Sequence, residues 1–432
     1  MKRLIDDILV RWKDQPNRKP LVIRGARQVG KTYSVEQFGR NHFENFLKID
    51  FELERSVHQA FSGDLHPANL VLKLEAAYGK SIIPGKTLLF FDEIQECPRA
   101  LMALRYFYEQ MPELHVVAAG SLLEFTVEDI SFPVGRVQFE WLRPLGFREF
   151  LWARGMELLS RQLPDLHREE PVDEFLHQKF LEQLKYYFVV GGMPEAVSTF
   201  VNTGSLSKVA EVHRALYQSY VQDFVKYRRR VDVELLTRIF EQLPARVGQR
   251  IKYTELYPEK RIEKIKEAIH LLEHALLVQK VRSTTAQGLP LGAGAVDKIF
   301  KTVFLDIGLM QHICGFSPTP VLNGNLVDAF RGGLAEQFVG QELLLRGGAE
   351  NDKLYYWNRP RPGSGAEVDY VIARKGEIYP VEVKSGRAGR LKSMQVFLNE
   401  HPHCSWGLVL NQGNIHREQK YRLKFMPLYT EI

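Results

Sequence analysis

The sequence predicts an α/β chain that opens on a parallel sheet. Short apolar runs recur at Leu21-Val22-Ile23, Phe46-Leu47-Lys48-Ile49, Leu88-Leu89-Phe90-Phe91 and Val116-Val117-Ala118-Ala119, with helical patterns between them. Runs without polar alternation fit strands buried on both faces, and the helices between them fit the crossovers of a parallel sheet. The composition, 45% hydrophobic and 25% charged, supports packed cores and excludes a disordered or collagen-like chain.

The 432 residues allow about three domains. Cys97, Cys314 and Cys404 are odd in number and far apart, so no disulfide framework is expected and a reducing cytoplasm is the expected home. Acids at Asp6 and Asp7 stand where a signal peptide needs its apolar stretch. No apolar run approaches the ~18 residues of a bilayer span, so no membrane partner is expected.

The texture then changes twice. From about Pro171 to Arg230 the chain reads as helical and aromatic, interrupted at Gly191-Gly192-Met193-Pro194. Lys226–Thr285 holds 14 basic and 8 acidic residues, an excess equal to the chain's whole net charge of +6. Charge gathered in one stretch is where an anionic partner is expected, here DNA. Within it Ile262, Ile265, Ile269, Leu272 and Leu276 share one helical face, with Lys260, Arg261, Lys264, His270 and His274 on the other. The alternative for this stretch is a docking module that touches no nucleic acid. Gln287–Ala295 reads as a wing loop or linker, and the chain returns to mixed α/β from about Val296.

Gly25-Ala26-Arg27-Gln28-Val29-Gly30-Lys31-Thr32 fits Gly-x4-Gly-Lys-Thr, after a strand and at the start of a helix. That context marks a phosphate loop, whose N–H groups and helix dipole face phosphate oxygens. Lys31 is expected to reach the β- and γ-phosphates and Thr32 to hold Mg²⁺. Leu88–Phe91 runs into Asp92-Glu93, a Walker B pattern in which Asp92 serves the magnesium and Glu93 polarises the attacking water. Ser121, at the end of the next strand, is placed as a γ-phosphate sensor, with an ordinary turn as the plainer reading. The chain lacks Asn-Lys-x-Asp and Leu-Ser-Gly-Gly-Gln, which favours ATP over GTP and excludes a transporter ATPase.

With Phe91-Asp92-Glu93-Ile94-Gln95, Ala119-Gly120-Ser121 and Gly135-Arg136-Val137, these motifs resemble the bacterial and archaeal AAA-type ATP-binding proteins that carry a C-terminal domain of unknown function. The likeness continues through Gly191-Gly192-Met193-Pro194-Glu195, Phe304-Leu305-Asp306-Ile307-Gly308-Leu309 and Glu382-Val383-Lys384-Ser385. It implies a P-loop NTPase domain over 1–165, a helical segment over 166–230, a winged-helix-like module over 231–295 and a restriction-endonuclease-like domain over 296–432. It also implies Arg136 as an arginine that reads the γ-phosphate, against the plainer reading of a surface arginine.

In the last region Asp369 lies on one strand and Glu382 and Lys384 share a face of the next, so a hairpin would join them. Glu336 sits on a helix that could lean over them. Such acids suit a magnesium-dependent phosphodiesterase, with Glu336, Asp369 and Glu382 as metal ligands and Lys384 orienting the water. Glu-x-Lys alone is weak, and the plain reading is a solvated cluster on a non-cleaving domain. Gln395 falls on the following helix, while His401, His403 and Cys404 lack a second ligand pair and read as a loop. The expectation is an ATP-binding, ATP-hydrolysing protein acting on DNA, compatible with a homo-oligomer and with a nuclease-like end. The alternative is a signalling or scaffold ATPase whose C-terminal domain binds protein or nucleic acid without cutting.

Overall fold

The apolar runs become strands whose ends form a single edge. The computed structural model describes residues 1–121, 135–316, 333–347, 353–359, 365–384 and 391–432. It divides into two compact units, Met1–Arg143 and Pro144–Ile432. Among the described residues no helix is long and apolar enough to cross a membrane.

In the first unit β1 (Leu21–Arg24), β2 (Asn45–Asp50), β3 (Thr87–Asp92), β4 (His115–Gly120) and β5 (Gln138–Trp141) form a sheet of order β2-β3-β4-β1-β5. Every pairing is parallel. Helices α1 (Leu4–Lys13), α2 (Lys31–His42), α3 (Pro67–Tyr78) and α4 (Pro98–Gln110) belong to the same unit. All residues of β3 and β4 are buried, the burial on both faces that their apolar text requires. Edge strand β5, Gln-Phe-Glu-Trp, is half-buried and has no apolar run to reveal it in the sequence. Because β4 separates β1 from β3, the C-terminal ends of three parallel strands carry Gly25, Ser121 and Asp92 to the same edge, where ligands of open α/β sheets bind.

The second unit begins with helices α5 (Phe147–Ala153), α6 (Glu157–Ser160), α7 (Glu174–Val190), α8 (Pro194–Thr203) and α9 (Leu206–Phe224). There follow α10 (Val233–Gln242), β6 (Ile251–Lys252), α11 (Tyr253–Leu256), α12 (Ile262–His274), β7 (Val278–Ser283) and β8 (Val296–Phe304). The rest is α13 (Ile307–Ile313), α14 (Gly333–Arg346), β9 (Leu354–Asn358), β10 (Glu367–Arg374), β11 (Glu377–Val383), α15 (Lys392–Glu400), β12 (Gly407–Asn411), β13 (His416–Glu418) and β14 (Leu423–Pro427). Among the described residues the sheet order is β13-β14-β12-β11-β10-β9-β7-β8-β6.

This sheet corrects the expected boundary at 295. β7 and β8 pair antiparallel across it, and β7 pairs parallel with β9, so the basic module and the C-terminal strands share a ladder. The α12 face is also shorter than its periodicity suggests. Ile265, Ile269 and Leu272 are buried, but Ile262 is 39% exposed. Leu276 lies past the helix end, at a φ of 59°.

Two quoted motifs prove to be halves of a single lock. Gly191-Gly192 ends α7, and Asp306 caps α13 by accepting from the Leu309 N–H at 2.9 Å. The other Asp306 oxygen accepts from the Gly192 N–H at 2.5 Å. A Cβ on Gly192 would lie 2.0 Å from the Leu145 carbonyl oxygen, so the site admits no side chain. Asp306 is wholly buried, and burial outweighs its backbone donors to push its pKa up to about 6.

Candidate functional site

The phosphate loop takes its curl from its own backbone. A Cβ on Gly25 would lie 2.3 Å from the Leu142 carbonyl oxygen, and Gln28 and Gly30 take left-handed backbone at φ of 62° and 93°. α2 starts at Lys31 directly behind this curl, aiming its N-terminal N–H groups at the sheet edge. Lys31 Nζ donates to the carbonyls of Gly25 at 2.9 Å and Ala26 at 2.8 Å. Burial drives its pKa down to about 8, against the charges of Glu93 and Asp92.

Thr32 Oγ1 donates to Asp92 Oδ2 at 2.9 Å, so the two groups expected at the magnesium already touch. Glu93 follows in left-handed backbone at φ 47° and accepts from Gln95 Nε2 at 2.6 Å. Its carboxyl pKa is raised, chiefly by burial. Ser121 is buried, and its Oγ has no partner among the described residues.

Arg136 is not brought to this edge. It precedes β5, which starts level with Leu21 of β1, so it lies at the opposite end of the parallel strands. There its Nε donates to Glu109 Oε1 at 2.8 Å on the exposed surface. The register corrects the expectation that Arg136 reads the γ-phosphate of its own chain.

Two residues at the site escaped the sequence. Lys48 Nζ lies 3.1 Å from Asp92 Oδ2 and 3.2 Å from Glu36 Oε1. Its half-buried position lowers its pKa, but Asp92 and then Glu36 outweigh that and raise it. The visible signal was the one cation inside the apolar run of β2. Arg3, 3% exposed, donates to the Val29 carbonyl at 3.0 Å and the Arg143 carbonyl at 2.7 Å, tying the loop to the chain's start. No local pattern in the sequence points to Arg3.

In the second unit β10 and β11 form the expected hairpin, turning through Lys375 and Gly376 at φ of 50° and 83°. Tyr370 pairs with Val381, a register that carries Asp369 beside Glu382, and Asp369 Oδ2 accepts the Val383 N–H at 2.8 Å. Lys384 Nζ donates to Glu382 Oε1 at 2.5 Å. α14 brings Glu336 to the same place, its carbonyl accepting the Tyr370 hydroxyl at 2.8 Å.

At the centre stands Lys301 of β8, which the sequence reading missed. Its Nζ lies 3.1 Å from Glu336, 3.3 Å from Asp369 and 2.5 Å from Glu367. Burial pulls its pKa down, yet Glu336, Asp369 and Glu367 together lift it well above the ordinary lysine value. The acids carry the remaining strain. Burial first and Asp369 second raise Glu336 to about 8 and Glu382 to about 7. Glu382 Oε2 is buried without a partner among the described residues.

The expected convergence of Glu336, Asp369, Glu382 and Lys384 is therefore present, but around an ammonium. Among the described residues no group of three or more His, Cys, Asp or Glu is arranged to hold a metal. As built, the cluster does not fit the divalent cation expected there. Ser385 lies outside the described residues. Gln395 lies half-buried on α15, and His401 and His403 sit in a loop, bonded to the carbonyls of Thr285 at 2.9 Å and Ala286 at 3.2 Å.

Residues 17–151 match the family model of an AAA domain, and the first unit is accordingly a P-loop ATPase domain of AAA type. Residues 181–319 and 331–430 match two domains of unknown function, DUF8612 and DUF4143. An uncharacterized protein of Methanocaldococcus jannaschii is 25% identical over 365 residues, 83% of this chain and 72% of its own. AMPPCP-bound DnaA from Aquifex aeolicus aligns at 13% identity and a TM-score of 0.30, over 63% of this chain and 87% of that one. The RuvB Holliday junction branch migration motor of Thermotoga maritima aligns at 12% identity and a TM-score of 0.30, over 64% and 88% respectively.

Proposed function

We propose that this chain binds ATP with Mg²⁺ at its first unit, hydrolyses it, and binds DNA through its second. The observation that carries the ATP reading is the convergence of Lys31, Thr32, Asp92 and Glu93 on one sheet edge. A hydroxyl and a carboxylate 2.9 Å apart are a donor set suited to Mg²⁺, which Thr32 and Asp92 would hold. When bound, that ion offsets the negative charge of the β- and γ-phosphates. Lys31 leaves the carbonyls of Gly25 and Ala26 for the phosphate oxygens, and the loop N–H groups of 25–32 orient them. Glu93 accepts a proton from the attacking water once released from Gln95, and Ser121 donates to the γ-phosphate. Phosphate release by the purified chain tests this: Lys31→Ala should abolish both binding and turnover, and wild-type turnover in that variant refutes the site.

The DNA reading rests on the order of α10, β6, α11, α12, β7 and β8, helix-strand-helix-helix-strand-strand, which supports a winged-helix-like module with basic residues exposed before and along α12. Lys260 and Lys264 are partly offset by Asp232 at 2.9 Å and Glu267 at 2.7 Å. Arg261 and Lys266 are then the stronger candidates for phosphate contact. For the C-terminal strands, the ammonium of Lys301 among the acids favours a binding module over a nuclease. A duplex-DNA cleavage assay with Mg²⁺ or Mn²⁺ tests that choice, and cleavage lost in Asp369→Asn would reverse it.

A further inference from the structure

We propose that Lys301 is a built-in cation that takes the place of a divalent metal in the C-terminal carboxylate cluster, leaving a latent metal site that its removal opens. The inference deepens the binding-only reading of this module and is independent of the ATPase assignment.

Three features carry it. Lys301 Nζ reaches three carboxylates from two elements, Glu336 of α14 and Glu367 and Asp369 of β10, all within 3.3 Å, while coming itself from β8. Acids drawn from separate elements to one point, with oxygens turned inward, form the shell that a hard divalent cation takes. Lys301 is 2% exposed, so it is no surface lysine that happened to fold over. A buried ammonium persists only when paired, and its partners would be left as uncompensated buried charge without it. Finally, Arg250 Nε holds the second oxygen of Glu367 at 3.1 Å, and the Val383 N–H holds that of Asp369 at 2.8 Å. These outer bonds fix the carboxylates in their inward orientation whichever cation sits at the centre.

Charge makes the lysine and the metal exclusive. The ammonium brings one positive charge and three donors, and its Nζ fills the point where the three carboxylates meet. A divalent cation at that point would stand beside it, so one must leave. Glu382, with one oxygen on Lys384 and the other buried and without a partner among the described residues, is an acid able to accept a ligand once Lys301 is gone.

The test is Mn²⁺ binding by the full chain without nucleotide, read from the free-ion electron paramagnetic resonance signal and from thermal melting. Wild type should show no Mn²⁺ site that Asp369→Asn removes. Lys301→Met should gain one site per chain in about the micromolar range, lost again in Lys301→Met with Asp369→Asn. Lys301→Met should also melt below wild type and recover several degrees with Mn²⁺, since the ion binds only the folded form. If that variant folds poorly, Lys301→Met with Glu367→Gln removes the cation together with one of the acids it offsets, and the same gain is expected. An Asp369-dependent Mn²⁺ site in wild type overturns the proposal. So does a failure of both variants to bind, or be stabilised by, Mn²⁺ up to about 1 mM. A DNA-cleavage result in wild type bears on the binding-only reading and is a separate measurement.

Discussion

Lys31 should make ATP affinity depend on pH above neutrality. In the nucleotide-free chain its ammonium is buried against two carbonyls, and its pKa falls from 10.5 to about 8. Asp92, Glu93 and Arg27 are the charged groups facing it. A triphosphate adds negative charge at contact distance, which favours the charged form and returns the pKa toward its ordinary value. If the bound value is the ordinary one, then at pH 9 the free chain keeps the Lys31 proton about one-tenth of the time and the complex keeps it almost always. Binding at pH 9 then takes up about 0.9 proton, and affinity falls about tenfold between pH 7 and pH 9. The same shift acts with opposite sign on stability: the nucleotide-free fold disfavours the charged lysine, so its stability rises as pH climbs from 8 toward 10.5. Calorimetric titration of a non-hydrolysable ATP analogue, in two buffers of different ionisation enthalpy, reads proton uptake directly. Lys31→Arg stays charged throughout and should bind with no uptake and little pH dependence. Uptake below about 0.2 proton at pH 9, or the same slope in the arginine variant, refutes the reasoning.

Glu93→Gln should keep nucleotide binding within about threefold and lower phosphate release by about a hundredfold or more, because it removes the acceptor of the water's proton while leaving the loop intact. Gly192→Ala should cost about 2–4 kcal/mol in urea unfolding of the chain, since its Cβ meets the Leu145 carbonyl oxygen, which cannot retreat without losing the Tyr187 hydroxyl it accepts at 2.6 Å. Arg261→Ala should weaken duplex-DNA binding and flatten the salt dependence by about one unit of slope. Lys260→Ala, already offset by Asp232, should do less, as filter binding across a salt series would show.

What the sequence made legible was what lies close along the chain. Walker A and Walker B are each contiguous, and each follows an apolar run whose burial on both faces left little choice of structure. Parallel strands then put their C-terminal ends on one edge, so Lys31, Thr32, Asp92 and Glu93 could be assigned together. Arg3 was illegible, and Lys48 showed only as a cation inside an apolar run without its partners, because their roles come from contacts with distant parts of the chain. Arg3 is separated by 26 residues from the Val29 carbonyl it holds, and nothing around it is periodic. Arg136 failed for a related reason: β5 lacks an apolar run, and without that strand's register nothing showed which end of the sheet Arg136 occupies.

The C-terminal cluster divides the same way, and there the division changes the chemistry. Alternation along β10 and β11 was enough to bring Asp369 beside Glu382, because a two-residue turn at Lys375-Gly376 leaves one register. Alternation also put Glu367 on the face of Asp369, a signal that was present and passed over. Lys301 belongs to a strand 66 residues before Glu367 in the chain, within Phe300-Lys301-Thr302-Val303-Phe304. A cation inside such a run must find acids or fail to fold, since burial without a partner costs several kcal/mol. The run thus announced a buried ion pair without saying which acids it would meet. The ladder from β8 through β7 and β9 to β10 supplies Glu367 and Asp369, and α14 supplies Glu336; together they turn a set of carboxylates readable as metal ligands into one already holding a cation of its own.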